Sequence, residues 1–309
     1  MAEVKQQARQ RLVSGVIAAA LTPIDAKGGA NAALLAQLCR RLLAEGCSSV
    51  VVLGTTGEAN SFTISERQAL LEDVLAAGVA PRTVIAGTGC CAAGDTVTLT
   101  RHALSLGVAR VLMLPPFYYK NVGDDGLFAA YADVIERISD DRLRVYLYNI
   151  PQITGVEISV ELVERLHAAF PSSLAGIKNS SGTWQTTETL CERLGAALDV
   201  LAGNETMLVR VVRAGGTGCV SATANANAAS IVRLLRDSAD GDAPELQRQI
   251  ESTRAAFEAF GVIPALKAYV AEKTGISAWR NVRPPLQPLD DAQRRELMSR
   301  LGAARRTAE

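Results

Sequence analysis

Six lysines stand against 26 arginines in this chain, and one of the six is placed unlike the rest. Lys5 and Lys27 lie in polar segments, Lys120 in a polar loop, and Lys267 and Lys273 in a stretch that reads as helix. Lys178 ends an apolar run, Leu174-Ala175-Gly176-Ile177-Lys178. An amine at the end of a buried strand is partly desolvated, which disfavours its ammonium form. A neutral amine attacks a carbonyl carbon and forms a Schiff base. The alternative for such a residue is a structural lysine paired with a carboxylate. Two other strand ends bear on the choice. Ser49–Leu53 runs into Gly54-Thr55-Thr56-Gly57-Glu58, where glycines allow a sharp turn and threonines offer hydroxyl and backbone donors, a suitable cradle for a carboxylate. Tyr148-Asn149-Ile150-Pro151 closes the apolar run before Lys178. A tyrosine there either shuttles protons for the lysine or packs with its hydroxyl in water.

These residues act together only if their strands end at one place. Short apolar, β-branched runs recur at Val16–Leu21, Ser49–Leu53, Thr83–Ala86, Arg110–Leu114, Val145–Tyr148, Ala175–Lys178, Val200–Ala202 and Cys219–Ser221. Their spacing leaves room for a helix and two loops between neighbours. Ala33–Glu45 places Leu34, Leu35, Leu38, Leu42 and Leu43 close to one helical face. Thr63 followed by Glu66 forms a capping-box pattern before a helix over Ser65–Leu75. Runs this apolar are buried on both faces, hence a parallel sheet under helices. Eight strand–helix units predict a closed α/β (β/α)8 TIM barrel over residues 1–235. Ala228–Asp237, Pro244–Phe260 and Pro264–Lys273 read as helices, and Pro284, Pro285 and Pro288 punctuate the end. Residues 236–309 are therefore expected to be a C-terminal helical extension packed on the barrel.

Composition narrows the function. Acidic and basic residues number 32 each, with no block of one sign, which argues against nucleic-acid and membrane-surface partners. No apolar run is long enough to span a bilayer, and Met1–Ser14 lacks the apolar region of a secretory leader. Six cysteines without a C-x-x-C read as thiols of a cytoplasmic protein. His102 and His167 stand alone, so neither a zinc site nor a Ser-His-Asp triad is expected. Gly87-Thr88-Gly89-Cys90-Cys91-Ala92 fits a dinucleotide fingerprint in outline. The acidic partner that the motif requires is missing, since residues 96–123 contain no Asp or Glu, so the glycines read as a tight turn.

Taken in order, Leu21-Thr22-Pro23, Gly54–Glu58, Pro116-Phe117-Tyr118-Tyr119, Tyr148–Pro151 with Thr154-Gly155, Gly176-Ile177-Lys178 and Gly215–Gly218 through Ser221–Asn225 resemble the dihydrodipicolinate synthase / N-acetylneuraminate lyase family of class I aldolases. The resemblance spans essentially the whole chain. It implies a Schiff base between Lys178 and pyruvate or another 2-oxo acid, proton relay by Tyr148, and a carboxylate held by Thr55 and Thr56. It implies that Tyr119 crosses a dimer interface to assist Thr56 and Tyr148, that Gly203 and Val220 line the pocket, and that the chain forms a homotetramer built from dimers. No metal or organic cofactor is implied, because the iminium itself draws electrons from the adjacent carbon.

Two positions bear on the substrate. Where the synthase branch carries an arginine for the carboxylate of its aldehyde partner, this chain has Ile153, which neither pairs with a carboxylate nor donates a hydrogen bond. Two residues past the lysine, Ser180 stands where the sugar-acid lyase branches carry a hydroxyl that touches the substrate, or else it caps the next turn. The loop Ala202–Thr206 is polar enough to meet substrate hydroxyls. The expectation is a pyruvate-dependent lyase, aldolase or dehydratase, acting on a 2-oxo-3-deoxy sugar acid or related hydroxy-2-oxo acid. The alternative is dihydrodipicolinate synthase, condensing pyruvate with aspartate semialdehyde.

Overall fold

The computed structural model describes residues 12–238, 241 and 243–306, so most of Met1–Ser14, where no secretory leader was expected, lies outside the described residues. Eight strands form: β1 (Gly15–Ala19), β2 (Ser49–Val52), β3 (Val84–Gly87), β4 (Arg110–Met113), β5 (Arg144–Asn149), β6 (Leu174–Asn179), β7 (Asp199–Ala202) and β8 (Gly218–Ser221). Each falls on one of the expected runs. All neighbours pair in parallel, and β8 returns to β1, closing the barrel. Side chains alternate along each strand. Ile17, Val51, Ile85, Leu112, Tyr146, Leu201 and Val220 fill the interior. Val16, Val50, Val84, Val111, Val145 and Val200 face outward onto the helices.

The helices are α1 (Ala32–Ala44), α2 (Ile64–Ala76), α3 (Ala93–Ser105), α4 (Asp124–Ile138), the single turn α5 (Pro151–Thr154), α6 (Val160–Ala169), α7 (Trp184–Leu194), α8 (Leu208–Arg213), α9 (Ala224–Asp237), α10 (Pro244–Glu258), α11 (Val262–Thr274) and α12 (Asp291–Arg306). Helix α9 begins earlier than its periodicity predicts and kinks at Asn227, where φ is −145°. Its first turn is held against β1 by Asn225, whose amide donates to Ala19 O at 2.7 Å and accepts from Leu21 N at 3.2 Å. Helix α12 was not expected behind the prolines. Its start is a reciprocal cap, Gln293 N donating to Asp290 Oδ1 at 2.8 Å and Asp290 N to Gln293 Oε1 at 3.0 Å.

Gly87 and Gly89 have steric reasons for being glycine. A Cβ on Gly87 would lie 2.0 Å from Leu53 O, and one on Gly89 2.3 Å from Leu114 N. All six cysteines are free, and burial pushes the Cys39 and Cys47 thiols up to about 12, which leaves them unreactive. No helix among the described residues is long and apolar enough to cross a membrane.

The capping box of α2 extends into long-range structure. Thr63 N donates to Glu66 Oε2 at 2.7 Å, and Arg283, from the C-terminal segment, pairs with the same carboxylate. The Arg283 hydrogen bond, then that of Thr63, holds the Glu66 carboxyl down to about 2 from an ordinary 4.5. A depressed acid contributes stability above its unfolded value and loses it as pH falls through its folded value. Glu66→Gln is therefore expected to unfold at lower denaturant than wild type at pH 7. The gap should narrow between pH 4.5 and 2, as read from urea melts across that window.

Candidate active site

Lys178 is aimed by a register shift. Strand β5 pairs Val145 with Leu174 and then Tyr146 with Gly176, so Ala175 is an extra residue in β6. Leu174 faces outward and Ala175 inward, while Ile177, three residues after Leu174, faces outward again. Strict alternation from Leu174 would turn Lys178 outward. The bulge flips the phase and turns it inward. Lys178 pairs with Tyr148, is 5% exposed, and its Nζ lies 3.9 Å from the centroid of the Tyr148 ring. Among the described residues no carboxylate lies within ion-pair distance of Lys178. The structural-pair alternative is thus unsupported, and the amine lies over the electron-rich face of the Tyr148 ring.

The following residues lock the two strand ends. Asn149 and Asn179 are paired in register, and Asn149 Nδ2 donates to Asn179 Oδ1 at 2.9 Å. Asn149 Oδ1 accepts from Ile158 N at 3.0 Å, and Asn179 Nδ2 donates to Thr187 Oγ1 at 2.9 Å. Both side chains are buried and satisfied. Sequence reading passed over them. The visible signal was an asparagine directly after each of Tyr148 and Lys178.

The cradle lies across the mouth. Leu53 and Glu58 have φ of 60° and 57°, left-handed values unusual for side chains of this size. Between them Glu58 N donates to Thr55 O at 3.0 Å, and Thr22 Oγ1 to Gly57 O at 2.8 Å. Thr56 is buried and Thr55 half-buried. A narrow crevice is lined by Thr55 and Tyr148 together with Arg67, Thr88 and Leu114. Thr88 Oγ1 is buried there without a hydrogen-bond partner among the described residues, a polar group the turn reading had not singled out. A larger cavity of about 530 Å³ lies between α9 and α10, lined by Arg233, Gln249 and Phe257, and contains none of the expected site residues.

The remaining expected residues divide into two groups. Val220 sits in the inner wall, 1% exposed. Ser180 and Gly203 touch, so closely that a Cβ on Gly203 would lie 1.9 Å from Ser180 Oγ. That hydroxyl is buried and without a partner among the described residues. Ile153 and Tyr119 instead stand at the rim, 62% and 75% exposed. Lys120 Nζ donates to Phe117 O and Thr154 O, tying the aromatic loop to the turn that carries Ile153.

One reading of the sequence needs correction. The polar groups of Ala202–Thr206 are used within the protein. Glu205 is fully buried, accepts from Ser221 Oγ at 2.7 Å and Thr223 Oγ1, and pairs with Arg254 of α10 at 3.1 Å. Asn204 Oδ1 accepts from Thr206 N at 3.1 Å. Three of the roughly four acceptor sites of this carboxylate are taken inside the protein, and at 0% exposure it is out of reach of a substrate hydroxyl.

Comparison with known proteins agrees with this geometry. The sequence model of the dihydrodipicolinate synthetase family matches residues 12–304. An uncharacterized DapA-like lyase of Chloroflexus aurantiacus is 33% identical over 282 residues, covering 90% of this chain and 93% of the relative. The crystal structure of dihydrodipicolinate synthase from Agrobacterium tumefaciens superposes with a TM-score of 0.87 at 38% identity, covering 94% of this chain and 99% of that one. YagE, a prophage protein of the same family from E. coli K12 solved in complex with pyruvate, has a TM-score of 0.86 at 25% identity, covering 95% and 99%. A closed parallel barrel with these relatives is an enzyme, a lyase of the class I aldolase type. The chain belongs to the dihydrodipicolinate synthetase family.

The bulge yields a test. A Cβ on Gly176 would lie 2.2 Å from Asp199 O and 2.9 Å from Tyr146 Cε1. Gly176→Ala must push β6 from β7 or undo the bulge. It is expected to cost about 1–3 kcal/mol in urea unfolding, as overpacking does.

Proposed function

We propose that this chain is a pyruvate-dependent Schiff-base lyase that cleaves a 2-oxo-3-deoxy sugar acid, or a related hydroxy-2-oxo acid, to pyruvate and an aldehyde. The observation that carries the reading is Lys178, a buried amine turned inward over the Tyr148 ring with no carboxylate among the described residues to neutralise it. Pyruvate bound to the family member YagE supports a 2-oxo acid as its partner.

In this reading Lys178 Nζ attacks the C2 carbonyl, and water leaves as the imine forms. Thr55 and Thr56 hold the C1 carboxylate. Tyr148 removes the proton of the C4 hydroxyl; the C3–C4 bond breaks, its electron pair passes to the protonated imine, and the aldehyde departs. The enamine takes a proton at C3 from the same tyrosine. Hydrolysis then releases pyruvate and restores the amine. Elimination of a hydroxyl through the same imine is the dehydratase variant. The unpartnered Ser180 hydroxyl contacts a substrate hydroxyl near the bond that breaks, while Gly203 and Val220 shape the pocket. Tyr119, exposed beside Tyr118, reaches the mouth of a second copy in a homotetramer. Six free thiols suit a reducing, cytoplasmic compartment.

Dihydrodipicolinate synthase activity is the second reading, favoured by the 38% identity to the Agrobacterium enzyme. Ile153 opposes it, because an exposed isoleucine at the rim offers nothing to the carboxylate of aspartate semialdehyde.

Incubation with pyruvate and borohydride, followed by peptide mapping, tests the chemistry. A pyruvyl adduct is expected on Lys178 and should vanish in Lys178→Ala. Absence of adduct on folded wild-type protein would remove pyruvate from the reading. A steady-state panel then separates the substrates. Turnover of 2-oxo-3-deoxy sugar acids is expected to exceed condensation with aspartate semialdehyde, and the reverse order would install the synthase reading.

A further inference from the structure

The chain holds a second buried lysine, and its surroundings are the opposite of those of Lys178. Lys267, on α11, forms an ion pair with Glu58 in which both side chains are 0% exposed. Lys267 Nζ also donates to Asn281 O at 2.7 Å, and Asn281 Nδ2 in turn donates to Ile24 O at 2.8 Å. The other oxygen of Glu58 accepts from the backbone N–H of Arg283 at 2.8 Å. Glu58 is the last residue of Gly54-Thr55-Thr56-Gly57-Glu58, so the C-terminal segment grips the cradle at its final residue.

We propose that Lys267 is a positioning residue for the carboxylate cradle, its buried charge holding Glu58 so that Thr55 and Thr56 keep the geometry that binds the carboxylate of a 2-oxo acid. The inference rests on the reading of Thr55 and Thr56 given under Proposed function. Two physical arguments lead to it. First, burying a carboxylate and an ammonium is expensive, and an apolar pair of similar volume often stabilises a fold as well or better. Packing alone therefore does not explain this pair. Second, the cradle is strained. It is bounded by Leu53 and Glu58, both left-handed, and such residues persist only when their surroundings hold them. At the Leu53 end the restraint is steric, through β3 at Gly87. At the Glu58 end it is the Glu58 side chain, with Lys267 and Arg283 as its partners. Without Lys267, the Glu58 carboxylate would be left charged without its cation in the interior. It would turn toward water and carry the neighbouring threonines with it.

The test uses the full chain and two variants, Lys267→Met and the double variant Glu58→Met/Lys267→Met. The double variant removes both charges, so it keeps the experiment informative where the single variant does not fold. Borohydride trapping is run across a pyruvate series, beside thermal melts and hydrogen exchange of the segment 53–62. The folded variants are expected to need about tenfold more pyruvate, or higher, for half-maximal adduct, as a small misplacement of a binding group can cost that much. Adduct at saturating pyruvate should stay near the wild-type level, and exchange in 53–62 should quicken while the β6 segment is unchanged. Wild-type pyruvate dependence in a folded variant, whatever its melting temperature, would overturn the inference and leave the pair a purely structural one. So would unchanged exchange in 53–62. Failure of the underlying reading is seen separately, as absence of any adduct on wild-type protein.

Discussion

The pairing of β5 with β6 is the constraint on which the site depends. One extra residue at Ala175 shifts the register, and only after that shift does Lys178 come opposite Tyr148 with its side chain inside the barrel. Gly176 makes the shift possible, because the carbonyl of Asp199 occupies the space a side chain would need. The asparagines one residue further on, hydrogen-bonded to each other across the two strands, fix the strand ends in this phase. An amine placed in this way sits on a strand, and its orientation does not depend on a loop.

Charge is distributed around the mouth with a clear division. Lys178 has an aromatic face beside it and, among the described residues, no ion-paired anion. The buried carboxylates Glu58 and Glu205 each have a cation from the C-terminal helices, Lys267 and Arg254. Breaking a buried pair by removing one partner typically costs about 3–5 kcal/mol, so these carboxylates stay bound to the extension and away from Lys178. A negative charge beside a lysine favours its ammonium form. The C-terminal helices thus supply the cations that occupy these two carboxylates.

Much of this was legible in the primary structure, for physical reasons that differ by element. The eight strands were visible because residues buried on both faces have to be apolar, and Lys178 stood out as a charge ending such a run. Helix α12 went unseen behind Pro284, Pro285 and Pro288, although Asp290 and Gln293 carry a capping pattern that marks its start. The bulge at Ala175 was missed although Gly176 beside it is a mark of one, since a glycine inside a strand weakens it and often signals a bulge or a close backbone approach. Glu58 and Arg283 lie 225 residues apart, beyond the reach of any periodicity. The loop Ala202–Thr206 misled because polarity alone does not reveal whether a side chain faces a ligand or a neighbour. Ile153 and Tyr119 were picked out through resemblance, and their exposure at the rim leaves them on the part of the surface where residues change at least cost to the fold.

The clasp on the cradle also orders events in time. Glu58 leaves the ribosome long before Arg283, whose backbone N–H binds it 225 residues later. Until that segment emerges, the turn bearing Thr55 and Thr56 lacks its anchor, and the barrel begun at β1 is an open, unfinished vessel. The turn is completed by a segment made 225 residues after it. A polypeptide cut short before Arg283 therefore carries Lys178 without the contacts that hold the end of the Gly54–Glu58 turn.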